Sequence, residues 1–162
     1  MKNLVIIRHA KSAWDDPYLS DHERPLAERG LRDAPRMAQR LKKRGIFPDA
    51  MVSSTAERAK STALITAENL HFPKEKLRLT TDLYHSGVSE IMKTIQKTPD
   101  SVATLFIFGH NPGFNSLVES LGGHLENLPT SGQFGFQFDV DSWKKIGPKN
   151  AKVWFFDYPK KS

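Results

Sequence analysis

Two arginines and two histidines of this sequence each lie within a few residues of the end of an apolar, strand-like run: Arg8, His9, Arg58 and His110. The planar guanidinium fork of arginine matches the oxygens of a phosphate, which it binds through two parallel hydrogen bonds. Imidazole is a nucleophile near neutral pH because its ordinary pKa is about 6.5. Gathered at one place, these four side chains would bind a phosphate and attack its phosphorus atom.

His9 is the predicted nucleophile, because it follows a buried strand directly beside Arg8. Its attack would form a phosphohistidine, which water then hydrolyses. His110, if protonated, would add positive charge at the equatorial oxygens, where phosphoryl transfer needs it. Taken singly, each residue has an ordinary alternative as a surface pair, a solvated charge or a turn histidine. Only their combination indicates a catalytic site.

No metal site and no cofactor motif is predicted. The sequence has no GxxxxGK[ST] loop, no HExxH pair and no carboxylate cluster suited to Mg²⁺. Because it has no cysteine, it has neither a disulfide framework nor a thiolate zinc site. Arg8, Arg58 and His110 would supply the positive charge that a metal ion supplies in other phosphatases, so we expect no cofactor.

Short apolar runs predict six strands, at residues 3–8, 50–52, 77–80, 102–108, 134–140 and 151–156. Amphipathic stretches predict four helices, at residues 26–44, 55–69, 87–97 and 113–121. The first helix either kinks at Pro35 or starts afresh near Asp33 as its N-cap. Ser53 or Ser54 is the predicted N-cap of the second helix.

The alternation of strands and helices at this spacing predicts βαβ units. It therefore predicts an α/β fold of three layers, with a mostly parallel central sheet flanked by helices. The last two strands follow each other without a helix and would add an antiparallel edge. In such sheets, ligands bind at the carboxyl ends of the strands. Three predicted strands deliver polar groups to that edge: Arg8-His9, Ser53-Ser54 with Arg58, and Gly109-His110.

The chain has 162 residues, which suits one compact domain spanning 1–162. Its net charge of +6 favours anionic partners, above all a phosphorylated substrate, although surplus lysine can serve solubility alone. The C-terminal lysines belong to no nucleic-acid motif, so no nucleic-acid partner is predicted. The apolar run Leu4–Ile7 is too short for a signal peptide or a membrane span. We therefore expect a cytoplasmic protein with no membrane contact.

Four segments, taken in order, resemble the histidine phosphatase superfamily: Arg8–Ser12, Arg24–Leu26 with Arg29-Gly30, Ser53-Ser54 with Arg58-Ala59, and Gly109–Pro112. That superfamily includes the phosphoglycerate mutases, the acid phosphatases and the short SixA-type phosphohistidine phosphatases, and the resemblance is strongest to the SixA type. It covers residues 3–140, nearly the whole chain. It implies a phosphoglycerate-mutase-like sheet and a catalytic core in which His9 is phosphorylated: Arg8, His9, Arg58 and His110.

Two departures from the family concern the first motif and the general acid. Ala10 follows His9 where the family usually has glycine, which adds one methyl group. The glutamate that serves as acid in the mutase-like branch is replaced by His85. The aspartate that follows the second histidine in acid phosphatases is replaced by Asn111. Three aspartates of the first loop stay open as alternative acids: Asp15, Asp16 and Asp21.

The missing carboxylate bears on the substrate. An alkoxide needs a proton to leave, and lack of an acid slows a hydrolase by about 10²–10⁴-fold. The imidazole of a phosphohistidine leaves as a neutral base once solvent has protonated it, so a phosphohistidine-bearing protein is the favoured substrate. A phosphoglycerate or another small phosphomonoester, and recognition of phosphate without catalysis, are the alternatives. Four further residues are predicted to contact the substrate: Lys11, Ser12, His85 and Asn111.

Overall fold

A six-stranded sheet forms the centre of the computed structural model, which describes residues 1–161. In chain order the strands are β1 (Lys2–Arg8), β2 (Ala50–Ser54), β3 (Arg78–Thr80), β4 (Thr104–Gly109), β5 (Gln133–Phe138) and β6 (Ala151–Asp157). Across the sheet they lie in the order β3-β2-β4-β1-β5-β6. The first four are parallel, whereas β5 is antiparallel to β1 and β6 is antiparallel to β5. The predicted sheet, mostly parallel with an antiparallel edge, is confirmed.

Four helices cover the two faces of this sheet: α1 (Glu28–Lys43), α2 (Glu57–Asn69), α3 (Val88–Gln96) and α4 (Gly113–Ser120). Successive side chains of a strand point to opposite faces, which β1 uses to build two cores. Val5 lies in a buried cluster with Leu41 of α1 and Ala63 of α2. Leu4 lies in a second cluster, formed with α3 and α4. The predicted three layers are confirmed. No helix within residues 1–161 is both long and apolar enough to cross a membrane.

Of the two forms predicted for the first helix, the fresh start near Asp33 is wrong. The helix continues through Pro35, and Asp33 lies buried inside it instead of capping it. The amide of Leu31 already donates to the carbonyl of Ala27 at 3.0 Å, so the helix has begun before Asp33 is reached. A proline inside a helix removes one backbone hydrogen bond, and helices in proteins are held chiefly by packing of an apolar face. The buried face of α1 extends to both sides of Pro35, which explains why the helix does not end there.

The predicted N-cap of α2 is also wrong. Ser53 pairs with Leu79 and Ser54 with Thr80 in the parallel ladder between β2 and β3, so both serines end a strand. Ala56 precedes the helix instead. The strand runs two residues further than its apolar pattern because polar residues can pair in a ladder as well as apolar ones. As a result, the hydroxyl of Ser54 reaches the carboxyl edge of the sheet.

Hydrogen bonds join the ends of β1 and β4 to α2 around His9. The amide of His9 donates to the carbonyl of Gly109 at 3.0 Å. The next amide, that of Ala10, donates to Thr62 Oγ1 at 2.9 Å. The same hydroxyl donates to the carbonyl of Arg58 at 2.7 Å. Thr62 therefore couples the segment after β1 to the helix that carries Arg58.

Replacing this coupling threonine tests its contribution. Thr62→Val keeps the side-chain shape but leaves the buried amide of Ala10 without an acceptor. Thr66→Val is the matched control, because the Thr66 hydroxyl is equally buried but bonds only the carbonyl of Thr62 within the helix, at 2.8 Å. We expect Thr62→Val to lower the free energy of unfolding, measured with urea, by about 1–3 kcal/mol more than Thr66→Val. Equal losses would contradict this account.

Candidate active site

A cavity of about 220 Å³ opens at the carboxyl edge of the sheet and is lined by all eight residues that the sequence predicts for the site. They are Arg8, His9, Lys11, Ser12, Arg58, His85, His110 and Asn111. Three residues not predicted to contact the substrate complete the lining: Trp14, Arg24 and Thr130. The structure thus brings together every predicted side chain, while the role of each remains a prediction.

His9 is buried with one ring nitrogen occupied. Its Nδ1 lies 2.8 Å from the carbonyl oxygen of Ala10, which can only accept, so Nδ1 carries the proton and Nε2 keeps its lone pair. Burial, together with the charges of Arg58, Arg8 and Arg24, outweighs the opposing bond to Ala10 and lowers the pKa of His9 to about 4. The ring is therefore neutral near pH 7, which is the form that can attack phosphorus.

His110 stands next to this nucleophile, with the two ring centroids 5.2 Å apart. Its Nε2 lies 2.8 Å from Ser54 Oγ, and its Nδ1 is buried with no partner among residues 1–161. Burial, followed by the charges of His9 and Arg58, lowers the pKa of His110 to about 3. The ring is thus neutral near pH 7 and acts as a hydrogen-bonding group, in contrast to the cation considered from sequence. A phosphate dianion beside it would raise that pKa.

Arg58 is held by Asp21, a residue considered from sequence only as an acid. The Arg58 guanidinium, which is 3% exposed, donates from Nη1 to the Asp21 carbonyl at 2.7 Å and from Nη2 to Oδ2 at 3.0 Å. Oδ2 also accepts from the Tyr84 hydroxyl at 2.6 Å and lies 3.3 Å from His85 Nε2. Arg24 Nη2 donates to Oδ1 at 3.0 Å. One carboxylate therefore organises two arginines, a tyrosine and a histidine.

These contacts bear on whether a loop aspartate can serve as the general acid, which the sequence left open. Burial raises the pKa of Asp21, but the hydrogen bonds from Tyr84 and Arg58 and the charge of Arg58 outweigh it, so the pKa lies well below its usual range. Asp21 is ionised near pH 7 and has no proton to give. Asp15 and Asp16 are exposed and do not line the cavity. None of the three loop aspartates is thus placed and protonated as a general acid.

Buried donors around the cavity lack protein acceptors. The Nε atoms of Arg8 and Arg58 are buried without a partner among residues 1–161, although Arg8 Nη1 donates to the Leu128 carbonyl at 3.0 Å. Such groups are rare in folded proteins, and each costs about 1–3 kcal/mol. An oxyanion in the cavity would accept from these arginines and offset part of that cost.

A third arginine stands in the wall. Arg24, 7% exposed, donates from Nη1 to Ser12 Oγ at 2.9 Å. Its guanidinium carbon lies 3.4 Å from the centre of the Trp14 ring, which is close enough for a cation–π contact. The sequence signal for Arg24 was its place in the second segment of the family resemblance. Nothing in the sequence pointed to Tyr84 or to the structural role of Asp21, because neither belongs to those segments.

Asn111 is engaged largely by the protein itself. Its Nδ2 donates to the Leu128 carbonyl at 2.9 Å, and its Oδ1 accepts from the Asn115 amide at 3.1 Å. These bonds fix the turn between β4 and α4 and so the position of His110. Within residues 1–161 no group of three or more histidine, aspartate or glutamate side chains is arranged to hold a metal ion.

Comparison with known proteins agrees with this geometry. The sequence model of the histidine phosphatase superfamily (branch 1) matches residues 4–103. An uncharacterized chloroplast protein of Arabidopsis thaliana is 31% identical over 94% of this chain and 75% of its own length. A putative phosphohistidine phosphatase SixA from Nakamurella multipartitia superposes with a TM-score of 0.85 at 23% identity, covering 99% of this chain and 97% of that one. A protein histidine phosphatase SixA complexed with tungstate gives 0.83 at 24% identity, over 97% of each chain.

The chain therefore belongs to the histidine phosphatase superfamily (branch 1), because the family model spans more than half of its residues. It has the phosphoglycerate-mutase-like fold that the family resemblance implied. It is a phosphatase of this family, and its solved structural relatives include proteins named as SixA.

The lowered pKa values of His9 and His110 predict how stability depends on pH. As the pH falls below about 6.5, both histidines take up protons in the unfolded chain but stay neutral in the folded protein until about pH 4 and about pH 3. The free energy of unfolding should therefore fall by about 1.4 kcal/mol per pH unit for each histidine in that interval.

Urea unfolding at pH 7, 6 and 5 measures this slope. His110→Gln retains a group able to bond Ser54 but does not titrate, so its slope should be shallower than that of the wild type by one histidine's share. His124→Gln, at an exposed position outside the cavity, is the control and should keep the wild-type slope. If the slope of His110→Gln equals that of the wild type, His110 is not buried as a neutral ring.

Proposed function

We propose that the protein hydrolyses a phosphorylated substrate through a covalent intermediate on His9. His9 Nε2 attacks phosphorus, a nitrogen–phosphorus bond forms, and the bond to the leaving group breaks with its electron pair. Water then attacks the phosphorus of phospho-His9, the nitrogen–phosphorus bond breaks, phosphate is released and the His9 side chain is regenerated. The observation that carries the proposal is the bond from Nδ1 to the Ala10 carbonyl, which leaves Nε2 unprotonated in a ring made neutral by burial.

Positive charge around the nucleophile supports the same reaction. Arg8, Arg24 and Arg58 all line the cavity with His9, and the transferring phosphoryl group carries negative charge on its equatorial oxygens. Phosphoryl transfer needs mainly positioning and charge stabilisation from the protein. His110 adds a hydrogen-bonding ring 5.2 Å from His9, and a bound dianion would favour its protonation. The proposal requires no metal ion and no cofactor.

A phosphohistidine carried by a protein is the substrate we propose. The ionised Asp21 and the exposed positions of Asp15 and Asp16 leave no carboxylic acid at the cavity to protonate an alkoxide. Imidazole needs no such acid, because solvent can protonate the phosphohistidine ring before the bond breaks. The names of the structural neighbours, phosphohistidine phosphatase and protein histidine phosphatase, are consistent with this class.

One observation favours small phosphomonoesters as a second candidate class. His85 lies at the cavity mouth with its Nε2 3.3 Å from Asp21 Oδ2, and its backbone has a φ of 53°, which is uncommon outside glycine. An imidazole paired with a carboxylate can donate a proton to an ester oxygen. If His85 does so, the absence of a carboxylic acid does not restrict the enzyme to nitrogen–phosphorus bonds.

The proposed nucleophile is tested by removing it. With an aryl phosphate in buffer containing EDTA, His9→Ala should lose at least about 10³-fold in kcat, because no other group can form the intermediate. His124→Ala, at an exposed position, should keep the wild-type rate. Rapid quenching of the wild type should trap phosphate that is stable in alkali, labile in acid and located on His9 by peptide mapping. Retention of more than a trace of activity in His9→Ala would exclude the mechanism.

The substrate class is tested by a leaving-group series. Without a general acid, the rate should depend steeply on the pKa of the leaving group, so phosphohistidine and activated aryl phosphates react fast and phosphoglycerate slowly. His85→Ala should then leave the slope unchanged, as should the control His124→Ala. A shallow slope in the wild type that becomes steep in His85→Ala would identify His85 as the acid and favour the phosphomonoesters. The assay compares kcat/KM across the series in all three proteins.

A further inference from the structure

A second cavity of about 360 Å³ lies beside the catalytic one. One side is formed by α1, and the other sides by the segment before β5 and the segment after β6. Because three arginines of α1 line the cavity, we name it the arginine pocket. Its lining comprises Arg29, Arg32, Asp33, Arg36, Pro129-Thr130 and Tyr158–Lys160. None of the arginines of this pocket is a predicted site residue, and none takes part in the proposed reaction.

The pocket carries an excess of positive charge. Asp33 is the carboxylate paired with all three arginines, at 4.0 Å from Arg29 and 3.9 Å from Arg32 and from Arg36. One buried carboxylate cannot balance three guanidinium groups, and Lys160 adds another positive charge. The three contacts are longer than a hydrogen bond, so each guanidinium keeps donors that a ligand can use. About half of each arginine side chain is exposed, at 47%, 63% and 53% respectively.

The wall opposite α1 is held in place. Arg40, also on α1, donates to Asp157 Oδ1 at 3.0 Å and to the carbonyls of Tyr158 and Pro159 at 2.8 and 3.1 Å. Asp157 is buried, so this ion pair is shielded from solvent. The segment that faces the arginines is therefore fastened to the same helix that carries them, and the pocket is a formed feature of the fold.

The arginine pocket and the catalytic cavity share a wall. Thr130 lines both of them, and the amide of the next residue, Ser131, donates to the carbonyl of His9 at 3.1 Å. The two cavities are also linked through α1, where Gly30 packs so closely on Lys11 that an added Cβ would lie 2.2 Å from the Lys11 carbonyl oxygen. Lys11 lines the catalytic cavity, whereas Arg29 precedes Gly30 and lines the arginine pocket. The two anion-attracting cavities are therefore neighbours with Thr130 in a common wall.

We infer that the arginine pocket binds a second anionic group of the substrate whose phosphate lies against His9. This inference rests on the proposed function and extends it to substrate class: a molecule with two oxyanions joined by a spacer. Guanidinium forks match phosphate and carboxylate oxygens. The rings of Pro129 and Pro159 offer apolar surface to the spacer. A substrate with one phosphate alone leaves this pocket unused.

Paired phosphonates test the inference, because phosphonates mimic phosphates but are not hydrolysed. Isothermal titration calorimetry compares alkane α,ω-bisphosphonates of increasing chain length with alkyl monophosphonates of the same length. Two linked groups that reach two sites bind more tightly through a high effective concentration. We expect the best spacer length to bind the wild type at least about tenfold more tightly than its monophosphonate. A third series, with a carboxylate at the second end, tells whether the pocket takes phosphate alone or either oxyanion.

Two double variants separate site binding from general charge. Arg32→Gln with Arg36→Gln should reduce the advantage of the bisphosphonate to the roughly twofold statistical factor of two identical ends. Lys76→Gln with Arg78→Gln removes the same charge from exposed positions that line neither cavity and should preserve the advantage. Because a bisphosphonate carries more charge than a monophosphonate, the control variant measures how far the lower net charge alone changes the ratio of their affinities.

The outcomes distinguish this inference from the proposed function. If no spacer exceeds the statistical factor, or if Arg32→Gln with Arg36→Gln keeps the full advantage, the arginine pocket is not a substrate site. Calorimetry does not depend on turnover, so that result stands even for an active enzyme. Conversely, a lack of hydrolysis of any phosphate together with a large bisphosphonate advantage would overturn the proposed reaction and leave the pocket as a binding site.

Discussion

A neutral imidazole surrounded by three guanidinium groups is the arrangement on which the rest of this structure depends. Arg8, Arg24 and Arg58 repel one another, and burial makes that repulsion stronger because water no longer screens it. The Asp21 carboxylate offsets part of this cost by accepting hydrogen bonds from two of the three. Burial, assisted by the same field, keeps His9 unprotonated. The same buried cluster of side chains therefore supplies both the positive charge that attracts phosphate and the neutral nucleophile that can attack it.

The parallel sheet is the element that positions the residues of this cluster. Parallel strands end at one edge, so β1, β2 and β4 bring residues that are distant in sequence to the same place. His9 is tied to Gly109 through its own backbone, and Ala10 is tied to α2 through Thr62. Hydrogen bonds between elements of the sheet and α2 thus hold His9, whereas Asp21 of the first loop holds Arg58. This precision is what positioning in phosphoryl transfer requires.

Positive charge on α1 extends the field of the active site along one face of the protein. Arg29, Arg32 and Arg36 project from a helix whose other face forms part of the core with Leu41. The net charge of +6 is therefore not spread evenly, since part of it is concentrated beside the catalytic cavity. Neighbouring patches of one sign raise the local concentration of anionic ligands and speed their encounter.

Much of this arrangement could be predicted from the sequence. The alternation of strand and helix patterns predicted the class of fold. The rule that parallel strands end at one edge predicted that Arg8, His9, Arg58 and His110 lie together. The sequence was less informative at element boundaries. Asp33 suggested a fresh start of α1 that the structure does not have, because local propensity does not include the packing of that helix on the sheet.

Protonation states and partners were decided only by the tertiary structure. Asp21 was one of three equivalent loop aspartates until folding placed Arg58 and Tyr84, 37 and 63 residues away in sequence, against its carboxylate. His110 looked like a possible cation until burial beside His9 and Arg58 made it neutral. The physical reason is the same in each case: residue types and local spacing are properties of the sequence, whereas burial and the electric field at a side chain depend on groups that only the fold brings together.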